Sequence, residues 1–250
     1  MNKQPDTLPK HFLMKVQKYG ADKVAMRQKD MGIWKSYSWQ DSYQQVRRFC
    51  AGLVELGVER DHKVAIVGDN DPQYYWALLA IQAIGAVAVG GFTDARPEEL
   101  KYVVGFADCT LVLAKDQEQC DKFLEIKAEL SGVSKVVYWD DKGLWNYNTP
   151  WLTSFEQVQT LGDERLKDNP TLFEDLVAQG SSNDLAIFCY TSGTTGLPKA
   201  AMLSHGNLLF AQRAYSELED HRDADNYVSF LPLAWISEHV LGVASHVADG

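Results

Sequence analysis

The densest run of chemically useful side chains is Tyr190-Thr191-Ser192-Gly193-Thr194-Thr195-Gly196-Leu197-Pro198-Lys199, which sets four hydroxyl residues, two glycines and a closing lysine directly after the apolar segment Leu185 to Tyr190. These residue types suit a polyphosphate. Gly193 and Gly196 open backbone conformations closed to other residues and let main-chain N–H groups approach oxygens closely. Thr191, Ser192, Thr194 and Thr195 add hydroxyl donors, Lys199 adds a compact positive charge, and Pro198 stiffens the exit. Each hydrogen bond to a charged phosphate oxygen contributes roughly 1.5–3 kcal/mol, so several together hold a flexible triphosphate. The run is not the loop of P-loop NTPases, because Gly196 and Lys199 are separated and Ala200 stands where that pattern needs a metal-binding hydroxyl. No G-x-G-x-x-G turn follows the early apolar runs either. A plain Gly/Ser/Thr turn ending in lysine is the competing explanation, and the density of donors argues against it.

Such a loop needs rigid elements on both sides, and the chain supplies short apolar runs alternating with amphipathic segments, the rhythm of a layered α/β protein whose sheet is largely parallel. Ser38 with Asp41 forms a capping box, after which Val46, Phe49, Leu53 and Leu56 share one helical face until Gly57. The run Lys63 to Gly68 reads as a strand covered on both faces. A helix from Pro72 to Ile84, a strand at Val87 to Val89, a helix from Pro97 to Ala107 and a strand at Thr110 to Ala114 continue the pattern, and a further helix and strand end near Tyr138. Residues 139–169 break the rhythm, although Ser154 with Gln157 caps one short helix. From Asp184 it resumes with a strand, the hydroxyl-rich loop, a brief run Ala200 to Leu203, a helix capped at Ser204 and a last strand around Tyr227 to Leu231. The expected organisation is a first α/β region over 1–138, a connecting region over 139–183 and a phosphate-loop region over 184–250.

Composition narrows the class of partner. With 46% apolar and 23% charged residues the chain is globular in character, and its net charge of -10 argues against a sequence-independent grip on nucleic acid. The same acidity repels ATP, so a nucleotide site must concentrate positive potential locally. Cys50, Cys109, Cys120 and Cys189 lack zinc-site or redox-pair spacing and read as buried, reduced thiols. The first residues have no signal-peptide core, and with the cysteines this favours a cytoplasmic protein. The apolar stretch Trp76 to Phe92 changes at Gly85 from helix formers to β-branched residues, which reads as a buried helix feeding a buried strand and not as a transmembrane span.

YTSGTTGLPKA closely resembles the phosphate-loop signature of the adenylate-forming superfamily, which includes acyl-CoA synthetases, luciferases and the adenylation domains of peptide synthetases. AMLSHGNLL and FLPLAWISEHV resemble the segments that follow this loop in long-chain fatty acyl-CoA synthetases, and YSWQDSYQQVRRFCAGLVELGV and KVAIVGDNDPQYYWALLAIQAIGAVAV resemble the N-terminal region of bacterial members. The resemblance covers most of the chain and implies the N-terminal part of the large AMP-binding domain. It implies attack of a carboxylate on the α-phosphorus of Mg-ATP, giving an acyl adenylate, followed by transfer of the acyl group to coenzyme A. Thr191, Ser192, Gly193, Thr194, Thr195, Gly196 and Lys199 are then the residues that hold the β- and γ-phosphates.

The same resemblance puts Trp235 where relatives carry an aromatic residue or histidine lining the acyl and adenylate pocket, and an ordinary core tryptophan explains it equally well. Glu238 and His239 face that pocket or form a solvated helix start, and His205 reads as a surface or helix-start residue in preference to a catalytic base. Ala200 replaces the glycine of many relatives and crowds the loop's exit without removing a donor. In the family the adenine pocket, the Mg2+-binding acid, the ribose-binding aspartate and a lid domain with a catalytic lysine lie beyond the equivalent of Gly250, so no catalytic residue and no Mg2+ ligand is assigned. An unpaired sheet edge and an exposed apolar face are expected where that remainder packs. The implied partners are fatty acid and nucleotide, with ATP, Mg2+ and coenzyme A as the small molecules of the reaction, and peripheral membrane association is left open. A short, aromatic or amino acid substrate, or a non-catalytic nucleotide-binding or interaction module, are the alternatives.

Overall fold

In the strands, successive residues point to opposite faces, and the apolar runs supply a hydrophobic side chain for each face. The computed structural model describes residues 4–191, 198–218 and 225–249. Its main sheet contains β3 (Lys63–Val67), β4 (Val87–Gly91), β5 (Cys109–Ala114), β6 (Val136–Tyr138), β7 (Leu152–Ser154), β8 (Leu185–Thr191) and β9 (Lys199–Ser204), after a separate antiparallel hairpin of β1 (Val24–Asp30) and β2 (Ile33–Ser38). The spatial order is β7-β6-β5-β3-β4-β8-β9, parallel throughout except for the antiparallel β8–β9 pair. Val64, Ile66, Leu111, Leu113 and Ile187 enter one core, while Ala65, Val67, Val112, Ala114 and Phe188 enter a second on the opposite face.

The first core is covered by α1 (Leu8–Tyr19), α2 (Trp39–Glu55), α3 (Pro72–Ile84), α6 (Phe155–Asp168), α7 (Leu172–Gln179) and α8 (His205–Ser216); the second is covered by α4 (Pro97–Phe106) and α5 (Gln117–Glu125). The result is the expected layered α/β architecture with helices on both faces. Ser38, Ser154 and Ser204 each close a capping box with Asp41, Gln157 and Asn207, so three helix starts are fixed by local hydrogen bonds. The apolar stretch after Tyr75 divides at Gly85, whose φ of 83 ends α3 in the left-handed region, and continues as β4. Among the described residues no helix is long and apolar enough to cross a membrane. All four cysteines are free and buried.

Two sequence expectations are corrected. The Ser154 cap opens a helix of 14 residues, because Phe155, Val158 and Leu166 find a buried face against its neighbours. Residues 227–231 form no strand; no ladder partner runs beside them among the described residues, Val228 and Phe230 stand 73% and 72% exposed, and side-chain hydrogen bonds hold the segment instead. β7 and β9 are the two edges of the sheet; among the described residues β9 pairs with β8 alone and exposes Met202.

Candidate functional site at the carboxyl edge of the sheet

The chain winds outward from β3 in two directions: α3, on one face, carries it to β4, and α4, on the other face, carries it back across β3 to β5. In open α/β sheets the crevice at such a reversal, at the carboxyl ends of the strands, is where ligands bind. Four segments meet there. Asn70 follows β3, Phe92 follows β4, Thr191 ends β8 at the root of the hydroxyl-rich loop, and Leu233–Ala234 crosses β4 so closely that a Cβ on Gly90 would lie 2.9 Å from the Ala234 Cα.

The roots of the loop are well fixed. Thr191 pairs with Lys199 across the β8–β9 hairpin, and its hydroxyl donates to the Lys199 carbonyl at 3.4 Å. From α4, the Tyr102 hydroxyl donates to the Pro198 carbonyl at 2.9 Å, while the Tyr190 hydroxyl donates to the Val103 carbonyl at 3.0 Å. The two rings meet edge to face with centroids 6.5 Å apart. Burial pushes the Tyr190 phenol up to about 12, which keeps it a proton donor. Lys199 is exposed, and among the described residues its side chain has no ion-pair partner. Ser192, Gly193, Thr194, Thr195 and Gly196 lie outside the described residues. No local signal marks Tyr102, because its contact with Pro198 spans 96 positions.

Trp235 is 49% exposed and meets Phe92 edge to face at 6.4 Å, so it is not an ordinary core tryptophan; it stands on the rim above β4. Glu238, in contrast, is 0% exposed. Its Oε1 accepts from Tyr75 Oη at 3.0 Å and from Ser229 Oγ at 2.6 Å, and its Oε2 accepts from Tyr227 Oη at 2.8 Å. Asn70 Nδ2 donates to the Ser229 hydroxyl at 2.5 Å and to the Leu231 carbonyl at 2.8 Å. Gly242 leaves room for this carboxylate, since a Cβ there would fall 2.2 Å from Glu238 Oε1. The solvated-helix-start reading of Glu238 and His239 is therefore overturned: three hydroxyls replace water around the carboxylate, and the network ties the segment carrying Trp235 to α3. Glu238→Ala, which strands those hydroxyls, is expected to cost about 2 kcal/mol in a denaturant titration. A cavity of about 870 Å3, lined by Arg27, Trp39, Tyr75, Tyr227, Ser229 and His246 among others, borders the network.

His205 begins α8 as expected but is only 2% exposed, and its Nδ1 accepts from the Leu8 amide at 3.3 Å. Burial pulls its pKa down to about 4, outweighing the upward pull of Asp184 and Asp6. His239, 3% exposed, is likewise pulled down to about 4 by burial, against a hydrogen bond to the Leu233 carbonyl. Both are neutral in the folded chain and titrate near 6.5 when unfolded, so the unfolded state gains protons first as pH falls. Stability is full above pH 6.5 and is expected to drop between 6.5 and 4 by about 1.4 kcal/mol per pH unit for each histidine, read from denaturant midpoints across that range. Among the described residues no three His, Cys, Asp or Glu side chains gather as a metal site, and Mg2+ is assigned no ligands.

A doubly wound sheet with a glycine- and hydroxyl-rich segment following a strand at its carboxyl edge is an arrangement found in nucleotide-binding α/β proteins. Residues 12–250 match the family model described as "AMP-binding enzyme", and the chain belongs to that family. It is 30% identical over 244 residues to a long-chain-fatty-acid–CoA ligase of Xenopus laevis, covering 96% of this chain and 32% of that protein. It is 29% identical over 245 residues to a human long-chain-fatty-acid–CoA ligase, covering 96% and 35%. The chain thus spans about a third of the length of these curated relatives. Among solved structures, a luciferase-like enzyme of the mealworm Zophobas morio superposes with a TM-score of 0.79 at 16% identity, over 100% of this chain and 55% of that one. A chain of Rhodopseudomonas palustris provisionally assigned as a long-chain-fatty-acid CoA ligase superposes with a TM-score of 0.76 at 21% identity, over 99% and 56%. At these identities the structural likeness speaks for the fold.

Proposed function

We propose that this chain supplies the phosphate-gripping half of the adenylation site of a long-chain-fatty-acid–CoA ligase. The observation that carries the reading is the alignment of nearly the whole chain with ligases of that name, joined to a loop rooted at the carboxyl edge where a nucleotide is expected. In this reading the loop from Thr191 to Lys199 holds the β- and γ-phosphates of ATP while pyrophosphate leaves, and Lys199 balances the charge that gathers there. Its exposed ammonium and the tyrosine-anchored loop exit support the role. Trp235 faces the acyl group from the rim above β4, and Glu238 acts behind it by holding the segment that carries it. ATP and coenzyme A are the co-substrates, and Mg2+ accompanies the triphosphate.

The test is carboxylate-dependent exchange of labelled pyrophosphate into ATP by the complete protein, with acids from acetate to palmitate and with benzoate. Exchange strongest with long-chain acids is the expected result. Exchange strongest with short or aromatic acids would move the substrate to those classes, and nucleotide binding without exchange would favour a non-catalytic module.

A further inference from the structure

The β1–β2 hairpin places apolar side chains where water is most accessible. It stands apart from the main sheet, with its base fixed by Gln28 Nε2 to Asp71 Oδ1 at 2.6 Å and by the edge-to-face contact of Tyr37 with Trp76 at 5.1 Å. Its two-residue turn, Met31–Gly32, has positive φ at both positions, 46 and 84. Gly, Asn or Asp normally fills such a turn, and a left-handed methionine costs about 1–2 kcal/mol. Yet Met31 is 86% exposed, and it is followed by Ile33 at 70% and Trp34 at 63%. Three apolar side chains thus stand exposed around one turn, one of them against its backbone preference.

The charges around the tip have the opposite sign to those of the whole molecule. Lys23, Arg27, Lys29 and Lys35 belong to the hairpin and its approach, against Asp22 and Asp30. The chain as a whole carries -10. Lys29 lies over the Trp34 ring, 5.9 Å from its centroid, and Lys35 pairs with Asp30 at 2.7 Å. Long basic side chains beside a tryptophan suit an interface in which rings and alkyl groups enter the acyl boundary while ammonium groups stay among lipid headgroups. The remaining, acidic surface is repelled by an anionic bilayer, so attraction at one end also fixes the orientation.

We propose that the β1–β2 hairpin tip docks this protein on anionic lipid bilayers, with Met31, Ile33 and Trp34 entering the interface and Lys29 and Lys35 meeting the headgroups. The inference does not rest on the ligase reading. It is tested by co-sedimentation of the whole chain with vesicles of phosphatidylcholine and phosphatidylserine at 3:1, and with phosphatidylcholine alone. Partition into the mixed vesicles is expected, weaker on the neutral ones. The triple variant Met31→Gly, Ile33→Thr and Trp34→Thr should lower it at least about tenfold. Lys29→Gln and Lys35→Gln should each lower it about fivefold. Met31→Gly alone relaxes the turn, so an unchanged or raised melting temperature with reduced partition separates docking from misfolding. Met202→Thr with Phe210→Ser, which remove exposed apolar groups elsewhere, should leave partition unchanged. Absence of partition by the unaltered chain, equal partition by the triple variant, or equal loss in the Met202/Phe210 control would each overturn the proposal. So would sedimentation showing that the hairpin instead joins two copies of the chain.

Discussion

Replacing Lys199 with alanine is expected to slow carboxylate-dependent pyrophosphate exchange in the complete enzyme by about 10²-fold or more, while the unfolding midpoint stays within about 0.5 kcal/mol. The two halves of this expectation have separate physical causes. Lys199 is exposed at the start of β9, and what holds it in place is backbone pairing with Thr191, which alanine retains. Nothing in the described fold loses a partner when the ammonium goes. A triphosphate in the loop does lose one, and charge on the leaving pyrophosphate makes the loss greatest in the transition state. A variant that loses stability and activity together would show the lysine to be structural, and unaffected exchange would remove it from the site.

The largest expected effect on stability comes from Gly162→Ala. Helices α2 and α6 cross with their backbones in contact: a Cβ on Gly162 would lie 1.9 Å from the Arg48 carbonyl oxygen and 2.8 Å from the Gly52 nitrogen, and one on Gly52 would lie 2.0 Å from the Val158 carbonyl oxygen. The flanking contacts prevent the helices from separating to make room. Phe49 and Phe155 stack with centroids 3.8 Å apart, and Arg48 grips Asp163 through two hydrogen bonds of 2.7 and 2.5 Å. Because the obstacle is backbone, the added methyl group must either break these contacts or bend a helix. The expected cost is about 3 kcal/mol or more, a fall of about 6–12 °C in melting temperature. A fall of less than about 2 °C would mean that the crossing is looser than described.

How far the site could be read from sequence depended on the range of the interactions. The capping boxes at Ser38, Ser154 and Ser204 were legible because donor and acceptor lie three residues apart. The apolar runs that became β3, β4, β5 and β8 were legible because a strand covered on both faces needs apolar side chains on both. The opening residues were harder. Helix α1 and the β1–β2 hairpin carry only short local signals, Thr7 with Pro9 at a helix start and the pair Met31–Gly32 at a turn. The segment 227–231 misled for the opposite reason: its residues have strand propensity, but a strand exists only where a neighbour offers hydrogen bonds. Likewise, the loop's residue types carry the expectation of phosphate binding, whereas Tyr102, which holds the loop's exit, is marked by nothing in its own surroundings.

By itself the sequence determined the alternation of elements, the helix starts, the family and the loop's chemical character, since each follows from residues close together along the chain or from a contiguous motif. The tertiary structure alone decided that Glu238 is a buried carboxylate held by Tyr75, Tyr227 and Ser229, that Trp235 stands on the rim beside Phe92, and that His205 stays neutral beneath α1. These properties depend on burial and on partners 9 to 197 positions away, and the free energy of a charge or a hydroxyl is set by what surrounds it in space.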